Sequence, residues 1–236
     1  MLFLDTADLN ELEKWSHYGL ISGVTTNPSI LEKSGVTDME TLVENIVSLY
    51  GGIPISLELT RINDIQSMIE DAILLSEINE NVVVKVPAFT NGLGHKIAYY
   101  LESNHEIPTN LTCMMTPEQM LLGLESNLSY ISFFLNRSVD FYTPTLRGKN
   151  ATQAEKQSTY DRLNDICKLG VLMITDTSII VGSIRDPQDV TASLLAGVDI
   201  VTVPPNILNQ MFQCSRTDET IKEFDDKWKK LTGEPQ

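Results

Sequence analysis

Cysteine is scarce. Cys113, Cys167 and Cys214 are odd in number, far apart and without metal-ligand spacing, so they exclude a disulfide framework and read as reduced thiols, Cys113 as a small buried one. Histidine is equally sparse: His17, His95 and His105 fall on or after expected helices and read as surface residues. No P-loop, dinucleotide fingerprint or metal triad occurs, so no cofactor and no metal is implied. No apolar run approaches the roughly 20 residues that cross a bilayer. The start, Met1-Leu2-Phe3-Leu4-Asp5, lacks the basic segment of a signal peptide, and a cytoplasmic protein with no membrane partner is expected. Positive charge is short as well. Lys and Arg number 17 against 32 Asp and Glu, and the net charge of −15 argues against nucleic acid as a partner. An anionic substrate would therefore need positive charge concentrated locally.

No Pro/Gly/Ser-rich linker interrupts the chain, so 1–236 is expected to be one domain. What fills it is alternation: short apolar runs followed by amphipathic segments of about ten to twenty residues, the pattern of βα units. Strands are predicted at 2–4, 23–25, 53–59, 81–87, 107–111, 130–135, 178–182 and 199–203. Helices are predicted from Ala7, from Pro28, over 38–49, 63–78 and 92–102, from Pro117, and over 152–169 and 187–196. Eight such units in 236 residues fit an α/β fold, a single (β/α)8 TIM barrel. The stretch 138–150 has no apolar periodicity and reads as a functional lid or a variable surface loop. The segment 215–236 reads as an extra C-terminal helix and tail. Its stripe of Ile221, Phe224 and Trp228 is expected to pack on the barrel or on a neighbouring subunit.

The run Asn81-Val82-Val83-Val84-Lys85-Val86-Pro87 organises the rest. Four valines around one lysine describe a strand covered on both faces. A lysine there loses hydration with no sequence-adjacent carboxylate to compensate, which favours the uncharged amine, the form that attacks a carbonyl to make a Schiff base. The plainer reading is a strand-end lysine that snorkels into water. The other strand ends weigh against it. Barrel sites lie at the C-terminal ends of the strands, and here those ends carry Asp5, Thr25 with Asn27, Glu58, Lys85, Asn110 with Thr112, Ser132 with Phe134, and Ser183 with Arg185. Schiff-base formation needs an acid/base partner, and cleavage of a carbon–carbon bond needs a base for a hydroxyl proton; Glu58 and Asp5 can divide those roles. Arg137 and Arg185, with the Ser183 hydroxyl, suit a phosphate group.

The segments Leu4-Asp5-Thr6, Gly-Val-Thr-Thr-Asn-Pro-Ser at 23–29, Val-Lys-Val-Pro at 84–87, Asn136-Arg137 and Ser-x-Arg at 183–185 together resemble the transaldolases. Chain length and the aromatic C-terminal helix are similar to the small-subunit group, which includes the fructose-6-phosphate aldolases. The resemblance implies that Lys85 forms a Schiff base with a ketose phosphate and that Asp5 handles the hydroxyl proton beside the cleaved bond. Glu58 would act through a water held with Thr112, and Asn27, Asn110 and Ser132 would bind the dihydroxyacetone unit within a pocket that Thr25 and Phe134 help to line. Arg137, Ser183 and Arg185 would hold the phosphate. The aldolase branch carries glutamine at position 58, alanine at 132, tyrosine at 134 and lysine at 185, and this sequence has the transaldolase choice at all four. The resemblance implies sugar-phosphate substrates and a ring-based homo-oligomer of ten subunits. Two rivals stay open: an aldolase releasing free dihydroxyacetone, and a non-catalytic sugar-phosphate binding barrel.

Overall fold

Residues 1–147 and 151–232 are described in the computed structural model. In chain order the elements are β1 (Leu2–Asp5), α1 (Leu9–Ser16), β2 (Val24–Thr25), α2 (Pro28–Ser34), α3 (Met39–Tyr50), β3 (Ile55–Glu58), α4 (Ile65–Glu77) and β4 (Val82–Pro87). There follow α5 (Leu93–His105), β5 (Thr109–Met114), α6 (Pro117–Glu125), β6 (Tyr130–Phe134), α7 (Leu135–Tyr142), a 3-10 turn at Pro144–Leu146, and α8 (Gln153–Met173). The chain continues through β7 (Ser178–Gly182), α9 (Pro187–Ala196), β8 (Ile200–Val203), α10 (Pro205–Met211) and α11 (Ser215–Thr232). The eight strands pair in sequence order, all parallel, and β8 returns to β1 to close the barrel. This is the expected (β/α)8 barrel with an added C-terminal helix.

Local chemistry sets the helix starts. Asp8, Asn27, Asp38, Asp64, Thr116, Thr152 and Asp186 each cap a helix with a side-chain oxygen, and Pro28, Pro117 and Pro187 follow as first helical residues. Strand residues of one parity, among them Leu4, Val24, Leu57, Val84, Leu111, Phe133, Val181 and Val201, face the helices and form the main core. The other parity points into the barrel, where Phe3, Ile180 and Ile200 pack as a separate cluster with Tyr130 against it. Gly23 makes room for that cluster, since a Cβ there would sit 2.4 Å from the Phe3 ring. Gly94 does the same outside, where a Cβ would lie 2.0 Å from the Pro87 carbonyl oxygen; only glycine lets α5 press against the end of β4.

Two expectations change and a third narrows to one of its alternatives. Part of 138–150 is ordered helix, because β6 runs into α7 with no intervening turn: Ser138 and Val139 are buried and Ser138 Oγ donates to the Met115 carbonyl at 2.7 Å. Residues 148–150 lie outside the described residues. On α11 the stripe stays off the barrel, with Ile221, Phe224 and Trp228 60–64% exposed, and 233–236 lie outside the described residues. His95 is only partly exposed: its Nε2 is shielded and makes no hydrogen bond among the described residues, and burial lowers its pKa. Among the described residues no helix is long and apolar enough to cross a membrane.

Candidate active site

Alternation along the strands fixes what stands above the apolar floor of the barrel. Two residues beyond Phe3, Tyr130, Ile180 and Ile200 on the same inward face come Asp5, Ser132, Gly182 and Thr202. These four, with Thr25, Asn27, Lys85, Asn110, Thr112, Phe134, Arg137 and Ser183, line a cavity of about 140 Å³. Ligand pockets of drug size run to roughly 300–1,000 Å³, so this one suits a small polar molecule. A larger depression of about 530 Å³ between α1 and α3 has no amine in its lining.

Lys85 is 5% exposed, so the desolvation half of the expectation is met. No carboxylate is adjacent to it in sequence, but one is supplied across the sheet. Glu58 is the direct register partner of Lys85, with Asn110 on the other side. Glu58 Oε2 lies 3.3 Å from Lys85 Nζ, which also donates to the Thr26 carbonyl at 2.5 Å. Glu58 itself is not in the cavity lining and approaches the amine from β3. Asp5 accepts a hydrogen bond from Thr25 Oγ1 at 2.8 Å, and Thr25 Oγ1 contacts Thr202 Oγ1. Burial pushes the Asp5 carboxyl above its ordinary value of 3.8, and Lys85 and the Thr25 hydroxyl only partly oppose this. Asp5 is thus a poor anion beside a cation, an arrangement suited to passing a proton.

The far wall is polar. Ser132 Oγ donates to Asn110 Oδ1 at 2.7 Å, while Asn110 Nδ2 and Thr112 Oγ1 are buried and make no hydrogen bond among the described residues. Buried polar atoms are rarely left unpaired, so these two are groups a ligand can satisfy. Asn27 uses Oδ1 to cap α2, accepting from the Ile30 amide at 3.0 Å, and still lines the cavity. Beyond Thr112 the β5–β6 register shifts between Leu111 and Met114, and Cys113 takes φ 65°. The bulge leaves Cys113 partly exposed instead of buried as expected.

At the mouth the two expected arginines part company. Arg137 lies over the Phe134 ring, 5.2 Å from its centroid, and lines the cavity. Arg185 does not line it. Its guanidinium is bidentate on Asp140, at 3.0 and 2.6 Å, and that pairing raises its pKa. Ser183 takes φ 61°, a left-handed conformation that a serine holds only where its surroundings dictate it. Those surroundings are a buried cluster. Asn136 Nδ2 donates to the Ser183 carbonyl and to Asp189 Oδ2, both at 2.7 Å. Asp189 also accepts from Lys156 Nζ at 2.7 Å, Tyr160 OH at 2.8 Å and the Arg185 amide at 2.9 Å. Burial works to raise the Asp189 pKa, and the bonds from Lys156, Arg185, Asn136 and Tyr160 outweigh it, leaving the carboxyl below the ordinary value.

A sequence-family model described as Transaldolase/Fructose-6-phosphate aldolase matches residues 2–234. The chain belongs to this family. A "Probable transaldolase" of Aquifex aeolicus (strain VF5) is 36% identical over 233 residues, covering 99% of this chain and 98% of that protein. Proteins of the same description from Coprothermobacter proteolyticus and Hydrogenobaculum sp. are 35% and 34% identical, with the same coverage.

Within this transaldolase/fructose-6-phosphate aldolase barrel, sequence reasoning missed Thr202, Gly182 and the Asp189 cluster. Thr202 was readable: it is the polar residue in Ile-Val-Thr-Val, on the parity of Ile200. Gly182 keeps the cavity open, since a Cβ there would lie 3.3 Å from Thr202 and 3.8 Å from Phe134. No spacing announces the cluster, whose members at 136, 156, 160, 185 and 189 come from four different segments.

Proposed function

We propose that the protein is a transaldolase. It moves a dihydroxyacetone unit from a ketose phosphate, fructose 6-phosphate or sedoheptulose 7-phosphate, to an aldose phosphate, erythrose 4-phosphate or glyceraldehyde 3-phosphate. The observation that carries this reading is the Lys85 amine, buried at the cavity between two carboxylates at the C-terminal end of a barrel strand. Lys85 passes its ammonium proton to Glu58, the freed Nζ adds to the C2 carbonyl of the ketose, and the carbinolamine loses its oxygen as water with that proton relayed back from Glu58 through a water held with Thr112. Asp5 then takes the proton of the C4 hydroxyl as the C3–C4 bond breaks. The aldehyde departs and the bonding pair becomes the enamine on Lys85. The acceptor aldehyde is attacked by that enamine, Asp5 returns its proton to the new alkoxide, and water hydrolyses the product from the lysine.

Asn110 Nδ2, Ser132 and Asn27 supply polar contacts for the three-carbon unit, and Arg137 with Ser183 supplies those for the phosphate. Arg185 stands behind them on Asp140. Phe134 presents no hydroxyl to the cavity and Glu58 sets a carboxylate against the amine, which favours holding the enamine for an acceptor over protonating it. That supports transfer over release of free dihydroxyacetone. The exposed stripe on α11 supports assembly with further copies of the chain. Borohydride reduction with fructose 6-phosphate, followed by mass spectrometry, is expected to leave a three-carbon adduct on Lys85; an unmodified Lys85 would leave only a binding barrel. Substantial dihydroxyacetone release without erythrose 4-phosphate would favour the aldolase reading instead.

A further inference from the structure

The buried cluster behind the cavity mouth has no part in the steps above, yet it is built at high cost. Lys156 and Asp189 are 1% and 0% exposed, and charges are taken out of water only when closely paired and hydrogen-bonded. Asp189 Oδ1 takes Lys156 Nζ and Tyr160 OH, both from α8. Asp189 Oδ2 takes the amides of Arg185 and Asp186, at 2.9 and 3.2 Å, and Asn136 Nδ2. Lys156 also pairs with Asp186, which caps α9. One carboxylate therefore ties α8, the start of α9, the loop after β7 and the first turn of α7 to each other.

Two of those four segments end in the cavity wall. Asn136 precedes Arg137, and its amide side chain holds the carbonyl of Ser183, whose left-handed backbone has no intrinsic preference to support it. Asn136 is thus a bracket between the residues at the two sides of the mouth, with Asp189 fixing the bracket. We propose that Asp189, Lys156 and Asn136 are positioning residues for the anionic end of the substrate: they set Arg137 and Ser183 at the spacing a phosphate requires and leave the Schiff-base chemistry alone. This rests on the reading of Arg137 and Ser183 as phosphate ligands.

The test compares a phosphorylated and an unphosphorylated donor, fructose 6-phosphate and fructose, and uses inorganic phosphate as a competitive inhibitor. Asn136→Ala leaves the Lys156–Asp189 pair in place. It removes the bonds to the Ser183 carbonyl and to the Asp189 carboxylate, and is expected to raise KM for fructose 6-phosphate and Ki for inorganic phosphate together by at least about tenfold. Its kcat is expected to stay within about twofold, with kcat/KM for fructose unchanged. Tyr160→Phe, which removes one bond from Asp189 and no charge, is expected to move the same two constants in the same direction by a smaller factor. It decides the matter if Asn136→Ala does not fold. Equal losses on both donors, or an unchanged KM and Ki in a folded variant, would overturn the proposal. In the second case Arg137→Ala tells which reading failed. If that variant raises KM for fructose 6-phosphate, Arg137 binds phosphate without help from the cluster. If the wild type itself treats fructose and fructose 6-phosphate alike, the phosphate site falls, and this role with it.

Discussion

Replacing Lys85 by Met tests how the amine is seated, separately from whether it reacts. Methionine keeps the unbranched stem up to the Cε position and removes the ammonium group, so it leaves Glu58 and Asp5 without their cation. At 3.3 Å and an effective dielectric of about 20, the attraction between Lys85 and Glu58 is about 5 kcal/mol before desolvation is set against it. Removing one member of a buried pair costs about 3–5 kcal/mol, because the other charge stays buried alone. For a chain of this length each kcal/mol is worth about 2–4 °C, so Tm at neutral pH should fall by about 6–20 °C. The loss should depend on pH. Asp5 has a folded pKa above its ordinary 3.8, so between those two values the folded state binds more protons than the unfolded one, and stability declines as pH rises through that window. Lys85 is what lowers the Asp5 pKa most, and without it the window extends upward. The variant should therefore lose more stability than the wild type on going from about pH 4 to pH 7. Urea denaturation of both proteins at the two pH values measures this. A variant as stable as the wild type at pH 7, or a difference that does not change with pH, would mean that the amine does not face these carboxylates.

Other perturbations follow from the same geometry. The acid limb of kcat/KM should lie above pH 3.8, reflecting the raised Asp5 pKa, and Asp5→Asn should abolish it while lowering kcat by about 10²–10⁴; a limb that survives in the variant belongs to another group. Gly94→Ala places a Cβ 2.0 Å from the Pro87 carbonyl and should cost at least about 1–3 kcal/mol by denaturation, with kcat falling as the Lys85 strand shifts; a neutral result would show that α5 can retreat. The pair Glu58→Gln with Phe134→Tyr should raise dihydroxyacetone release in the absence of acceptor, and an unchanged product ratio would count against the roles given to those two positions.

The barrel was legible because short apolar runs alternate with amphipathic segments along the whole chain, and because prolines such as Pro28, Pro117 and Pro187 mark where helices begin. The α7 segment was not. Phe134 ends β6 and precedes α7 with no side-chain cap, so no turn signal separates strand from helix, and a short helix inside an aperiodic stretch reads as loop. The α10 segment was missed for the same shortness. Most of the site could be read from strand ends one at a time. What could not be read was pairing. That Glu58 faces Lys85 depends on the β3–β4 register, that Arg185 turns to Asp140 depends on where α7 lies, and the bulge at Cys113 follows from a register shift that leaves no mark in the sequence.

The apolar floor of Phe3, Ile180 and Ile200 also governs the order of events. A vessel stopped at the bottom has a single neck, so whatever enters must leave by the way it came. For the transfer proposed above, the first aldehyde has to be gone before the second arrives, and donor and acceptor take turns at one doorway. Such traffic gives parallel lines in double-reciprocal plots and mutual inhibition when either sugar is in large excess.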